Sequence, residues 1–281
     1  MFVQESLHLG VELMNNKLSK EIIEFENNYQ EEIIEILAVT GASGLGGGKL
    51  PKEDFWTASI DILAWKENIK HSILKIEKTI LRFKADDEVL NEMGSKIKAN
   101  SIVKLKIRKG ERGFLLCEPL ECDILDNELK FFLEKQLEPV FYMDEVFGEF
   151  ELDKSVNVFE KTIEWCCKEV RISFDNDDES EIKSILETGH VLYRDQKDWM
   201  RKICDFACDK LLDLKNDVWL DDEKEEITRE EFIEAIELCD ISLESDGAFT
   251  FWFDDGDLFW GHSIIAEGNI DGTLHDAHIA G

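Results

Sequence analysis

No window of the 281-residue chain approaches the roughly 18 consecutive apolar residues of a membrane-spanning helix. Its first residues, Met1 to Lys17, also lack a basic start followed by an apolar stretch and a small-residue cleavage site. Membrane insertion and secretion are therefore not expected, and a cytoplasmic location is. Paired-cysteine motifs are missing as well: the seven cysteines are an odd number with no CxxC spacing, which fits reduced thiols better than a disulfide framework. Basic residues are scarce. Against 63 Asp and Glu stand 32 Lys and Arg, for a formal net charge of −31. Direct binding to nucleic-acid phosphates or to anionic membranes needs clustered cations, so neither is expected, and a basic protein is the natural partner. Such a balance also serves solubility alone, which is its commoner use.

What is present suffices for folding. Hydrophobic residues make up 43% of the chain, with 18 Phe and 7 Trp, and the length suits two domains, each with its own core. Their boundary falls near residue 140, where an amphipathic stretch ends and Phe147-Gly148 opens a new β pattern, and the charge differs on its two sides. Residues 1–140 carry 25 acidic and 19 basic side chains (net −6), whereas residues 141–281 carry 38 and 13 (net −25).

In the first domain a helix from Lys20 gives way to a β run through Ile33, Ile34, Ile36 and Leu37. The glycine-rich stretch Thr40 to Lys49 reads as a loop, because ordering glycine carries the highest backbone entropy cost. Alternation or β-branched enrichment marks strands at Trp56–Trp65, Ser72–Phe83, Ile102–Ile107 and Phe114–Leu120, with a short helix at Asp86–Met93. Five strands and one helix suit a small Greek-key barrel of the oligonucleotide-binding type. The strip Lys104, Lys106, Arg108, Lys109 and Arg112 has no interleaved aromatic and reads as the solvated face of a half-buried strand. A connecting helix at Asp123–Pro139 closes the domain.

The second domain reads as strands at Gly148–Leu152, Phe159–Trp165 and Val170–Phe174, then helices at Glu179–Glu187 and Lys197–Lys215. A further helix runs from Thr228 to Leu238, where Thr228 and Glu231 have capping-box spacing. Ile241 and Leu243 precede an Asp246-Gly247 hairpin turn of type I′, Phe249, Phe251 and Phe253 form one apolar face, and a last strand spans Ser263–Ile270. The fold class is α+β: an OB-like barrel domain, 1–140, followed by an acidic domain, 141–281, with helices packed on an antiparallel sheet.

Most motifs fail on inspection. A P-loop would need Gly at 43 and Ser or Thr at 50, where Ser43 and Leu50 stand. A calcium loop starting at Asp175 would need Gly at 180 and Glu at 186, where Ser180 and Leu186 stand. Cys204 and Cys208 share a stripe with Met200, Ile203, Ala207 and Leu211 and read as core, while Cys166-Cys167 would sit at a strand end and point to opposite faces. No serine or cysteine has an elbow-type glycine context, and neither cofactor nor metal is expected.

The stretch Phe251 to His262 (FWFDDGDLFWGH) is the best site candidate, with three carboxylates, two Trp and one His. Asp254, Asp257 and His262 could converge as a general acid–base or metal centre. More often such a run is a turn whose Asp side chains bind backbone N–H groups, here with Trp260 plugging the core. His275 and His278, near the C-terminus, could join the cluster or stand in solvent. This segment, with Gly148-Glu149-Phe150-Glu151-Leu152, Ala207-Cys208-Asp209-Lys210-Leu211-Leu212 and Asp276-Ala277-His278-Ile279-Ala280-Gly281, resembles a bacterial family catalogued as domain of unknown function 2262, over roughly residues 145–281. The resemblance implies no catalytic residues.

The leading expectation is a binding protein of the immunity or inhibitor kind. Its acidic domain would cover a basic toxin-like or nuclease-like protein through Asp221, Asp222, Asp254, Asp255, Asp257, Trp260 and His262. A DNA mimic is a variant of that reading. The alternative is a hydrolase, metal-dependent in one version, built on Asp254, Asp257 and His262, and a third option has the barrel sense a small ligand.

Overall fold

The computed structural model describes residues 20–176, 178–219 and 225–281. The chain divides into two compact units, the first ending at Glu138 and the second starting at Pro139.

In the first unit, residues 20–26 are helical. There follow β1 (Tyr29–Thr40), β2 (Gly46–Gly48), β3 (Trp56–Glu67), β4 (Thr79–Ala85), α1 (Asp87–Lys96), β5 (Ile102–Gly110), β6 (Gly113–Cys122) and α2 (Asn127–Leu137). Strands β1, β5, β6, β4 and β3 pair in that order and β3 returns to β1, which closes a five-stranded barrel. The β4–β6 pairing is parallel, and α1 lies between the third and fourth barrel strands, as in the oligonucleotide-binding type. Alternation does the sorting: Ala58, Ile60, Ile62 and Ala64 of β3 are buried, with Ile36, Leu81, Leu105 and Ile107 from neighbouring strands.

Two details differ from expectation. The glycine loop contains β2, whose three glycines pair with Thr57 to Ser59. The strand expected from Ser72 begins only at Thr79. The basic strip on β5 is neutralised across the barrel surface: Lys104, Lys106, Arg108 and Lys109 each lie within 3.4 Å of a glutamate, respectively Glu35, Glu118, Glu26 and Glu67.

The second unit contains β7 (Phe141–Asp144), β8 (Gly148–Asp153), β9 (Val158–Trp165), β10 (Lys168–Asp175), α3 (Glu179–Arg194), α4 (Gln196–Val218), α5 (Arg229–Ala235), β11 (Glu237–Leu243), β12 (Ala248–Asp254), β13 (Ser263–Asn269) and β14 (Leu274–Ala280). These strands form one sheet in chain order from β7 to β14. It is antiparallel except at β10–β11, the neighbours that the helices connect. Phe150, Trp165, Phe174, Phe249, Phe251 and Phe253 pack with Ile182, Leu186, Ile203, Ala207 and Leu211 of α3 and α4 in one core. Cys204 and Cys208 belong to it.

Capping follows the sequence closely. Thr228 Oγ1 accepts from the Glu231 N–H at 3.2 Å, and Glu231 Oε2 accepts from the Thr228 N–H at 2.8 Å. Asp178 caps α3 by accepting from the Ser180 and Glu181 N–H groups, which is what the calcium-like run does here; its Asp177 lies outside the described residues. At the β11–β12 turn both Asp246 and Gly247 take positive φ, 58° and 80°.

Four expectations are corrected. The helix from Thr228 stops at Ala235, because β11 begins two residues on. Ser263–Asn269 is not the last strand, since β14 adds an edge after it. The short edge β7 was not expected. Cys166 and Cys167 are not at a strand end: they form the β9–β10 turn, both at positive φ (50° and 68°). No helix among the described residues is long and apolar enough to cross a membrane.

Candidate functional site: the loop between β12 and β13

The best candidate from sequence is a loop that its own backbone N–H groups organise. Asp255, 2% exposed, sends its carboxylate inward. Oδ1 accepts from the Asp257 N–H at 3.1 Å, and Oδ2 accepts from the Phe259 N–H at 2.6 Å and the Gly261 N–H at 3.2 Å. Three donors on one buried carboxylate satisfy the charge that burial would otherwise penalise. Asp254 Oδ1 accepts from the Gly256 N–H at 2.9 Å.

This wrapping forces left-handed backbone at Gly256 (φ 57°), Asp257 (66°), Trp260 (57°) and Gly261 (85°). Gly256 is obligatory, since a Cβ there would lie 2.3 Å from the Ala235 carbonyl oxygen. A tryptophan at positive φ is held by its surroundings, not by its own preference.

The side chains sort accordingly. Phe259 is fully buried, with its ring 5.8 Å from Trp219 and 6.4 Å from Phe232. It is Phe259 that plugs the core, correcting the expectation for Trp260, which is 62% exposed. Trp219, at the end of α4, meets Trp260 edge-on at 4.9 Å and His262 at 5.1 Å. His262 Nδ1 lies 2.6 Å from the Phe259 carbonyl oxygen; a carbonyl only accepts, so Nδ1 is the donor of this bond.

Asp255, Asp257, Trp260 and His262 thus share one loop, which Asp254 precedes at the end of β12, but Asp255 is interior and unavailable to a partner. Among the described residues no hydrogen bond joins Asp254 or Asp257 to His262. Nor does any group of three carboxylate, imidazole or thiol side chains among them sit as a metal site would. Asp221 and Asp222 lie outside the described residues. His278 stands on β14 opposite Ile265, with Nδ1 3.4 Å from Asp276, and His275 is exposed on the same strand; neither joins the loop.

Sequence reasoning missed a second constellation. Asp144, at the end of β7, accepts from the Val146 N–H at 2.9 Å, the Phe147 N–H at 2.7 Å and His190 Nε2 of α3 at 3.0 Å. Burial raises the carboxyl pKa, but these three donors outweigh it and hold the group below its ordinary range. The partners are 46 residues apart, and no local pattern announces the pair.

Fold and site together define a two-unit α+β protein: a closed barrel, then a helix-covered sheet that presents an aromatic and acidic loop hydrogen-bonded around Asp255. Residues 144–279 match the family described as an uncharacterized protein conserved in bacteria, domain of unknown function 2262. The C-terminal half of the chain is a member of that family. Residues 21–136 match a second model, domain of unknown function 7021, so each unit carries its own family signature. No curated protein matches the chain.

Proposed function

We propose that the C-terminal unit is a protein-binding module of the immunity or inhibitor kind, and that it takes a basic protein partner on the β12–β13 loop. The observation that carries this reading is the exposure of Trp260 on a backbone that disfavours it. The loop is locked from beneath by Asp255, so the indole is presented without an ordering cost at binding, the usual property of an interface anchor. Exposed Asp254 and Asp257 rim it. The sheet surface away from the helices adds carboxylates at alternate positions, Glu149 and Glu151 of β8, Glu164 of β9 and Glu267 of β13, which favour encounter with a cationic surface.

The test compares capture from a bacterial lysate by the full chain and by three variants. A basic protein released by moderate salt is expected on the wild-type and Trp252→Ala columns, because Trp252 lies on the sheet and not in the loop. It is expected to be lost with Trp260→Ala and with the double charge reversal Asp254→Lys/Asp257→Lys. Equal recovery on all four columns would rule out the loop as the interface.

A further inference from the structure

On the outside of the barrel, β4 and the β5–β6 turn border an open cleft of about 740 Å³, lined by Phe25, Tyr29, Thr57, Arg82, Glu111 and Arg112. Its volume falls within the range of small-molecule sites. The turn that bears Glu111 and Arg112 is fixed in place. Gly113 takes φ 125°, and a Cβ there would lie 2.2 Å from the Ile80 carbonyl oxygen of β4, so only glycine allows this approach. Arg82 Nη1 donates to the Arg112 backbone carbonyl at 2.6 Å, which ties the turn to β4, and both arginines line the cleft.

Their charge is what distinguishes this place. Along β5 the cations are matched by glutamates of the same unit, whereas among the described residues neither Arg82 nor Arg112 has a carboxylate within ion-pair distance. In a chain with a net charge of −31, where the other five arginines are ion-paired, two arginines on one cleft without an ion-pair partner among the described residues are an exception that solubility does not explain. Phe25 and Tyr29, with ring centroids 5.7 Å apart and planes at 50°, form the apolar wall. Glu111 supplies an acceptor at the rim.

We propose that this cleft binds a mononucleotide. Two planar guanidinium groups present forked donors that match phosphate oxygens, and an aromatic wall offers stacking to a planar base. The Glu111 carboxylate accepts from ribose hydroxyl or base amino groups. A longer nucleic acid is the poorer occupant, because the β5 cations that would extend a phosphate track are already paired.

The experiment is isothermal titration of the full-length chain at low salt with the four ribonucleoside 5′-monophosphates, the four nucleosides and inorganic phosphate. At least one monophosphate is expected to bind saturably and more tightly than its nucleoside or phosphate alone. Arg112→Gln, at an exposed turn position, is expected to weaken that binding by about 10- to 100-fold, the loss of one charged contact. Arg82→Gln should do the same, and Tyr29→Leu should weaken the monophosphate and leave inorganic phosphate unaffected. No saturable binding at millimolar concentration, phosphate binding as tightly as the nucleotides, or an Arg112→Gln chain that binds like wild type would each overturn the assignment.

Discussion

Asp255 holds the β12–β13 loop together through one carboxylate and three backbone N–H groups. An asparagine there would keep a single carbonyl acceptor and turn an amide donor towards N–H groups that need an acceptor. Asp255→Asn is therefore expected to destabilise the C-terminal unit by about 2–3 kcal/mol, the scale of lost hydrogen bonds to a buried charge. Denaturant unfolding measures the loss, and the emission of exposed Trp260 reports whether the loop has let go. A change below about 0.5 kcal/mol would mean that packing of Phe259, and not the carboxylate, sets the loop. The same residue explains the exchanged roles of Phe259 and Trp260. Alternation counted from Phe253 gives the same two sides, but it does not hold along the loop, where Leu258 is buried as well; the backbone set by the left-handed residues at 257 and 260 fixes the two rings.

At the scale of elements, Asp144 ties the β7–β8 turn to α3, and Phe147 completes the contact by packing 5.4 Å from the His190 ring. Because its pKa is lowered in the folded state, the stabilisation it gives is fully present above the unfolded value of about 3.9 and is lost as pH falls through the folded value. Asp144→Asn is expected to be less stable than wild type at pH 7, with the difference shrinking below roughly pH 4. Thermal melting of both proteins across pH 3–7 checks this; a gap that stays constant to pH 3 would show that the carboxylate charge is not what holds the turn.

For the whole molecule, the two units differ in how their charge is arranged. The barrel's cations sit in cross-strand pairs, so added salt screens attractions there. The second unit, with net −25 over residues 141–281, has far more repulsion than attraction to screen. Raising sodium chloride from about 0.05 to 0.5 M, which shortens the screening length to a few ångströms, should raise the melting midpoint of the C-terminal unit more than that of the barrel. Hydrogen exchange followed by mass spectrometry assigns each transition to its unit. Equal shifts, or a larger one for the barrel, would show that self-repulsion does not limit the acidic unit.

Local periodicity made the elements legible. Ala58, Ile60, Ile62 and Ala64 announce a half-buried strand, Phe249, Phe251 and Phe253 announce another, and Thr228 with Glu231 announces a helix start, because each signal lies within one or two turns of chain. Edge strands were harder to read: β14 carries His275 and Asp276 in its first half, since an edge need not bury both faces. The sequence by itself determined the α+β class, the barrel type, the core thiols and the acidic character of the second half. Only the tertiary structure decided which chemistry meets which. Asp144 with His190 is joined by the packing of α3 on the end of β7, and Arg82 with the Arg112 carbonyl by the close approach of β4 and the β5–β6 turn, across 46 and 30 residues, and no one-dimensional pattern records such a closure. Likewise the turn of Trp260 towards solvent was decided by a buried carboxylate and a run of positive φ angles, because the direction of a side chain in a loop follows from the backbone that the rest of the fold imposes.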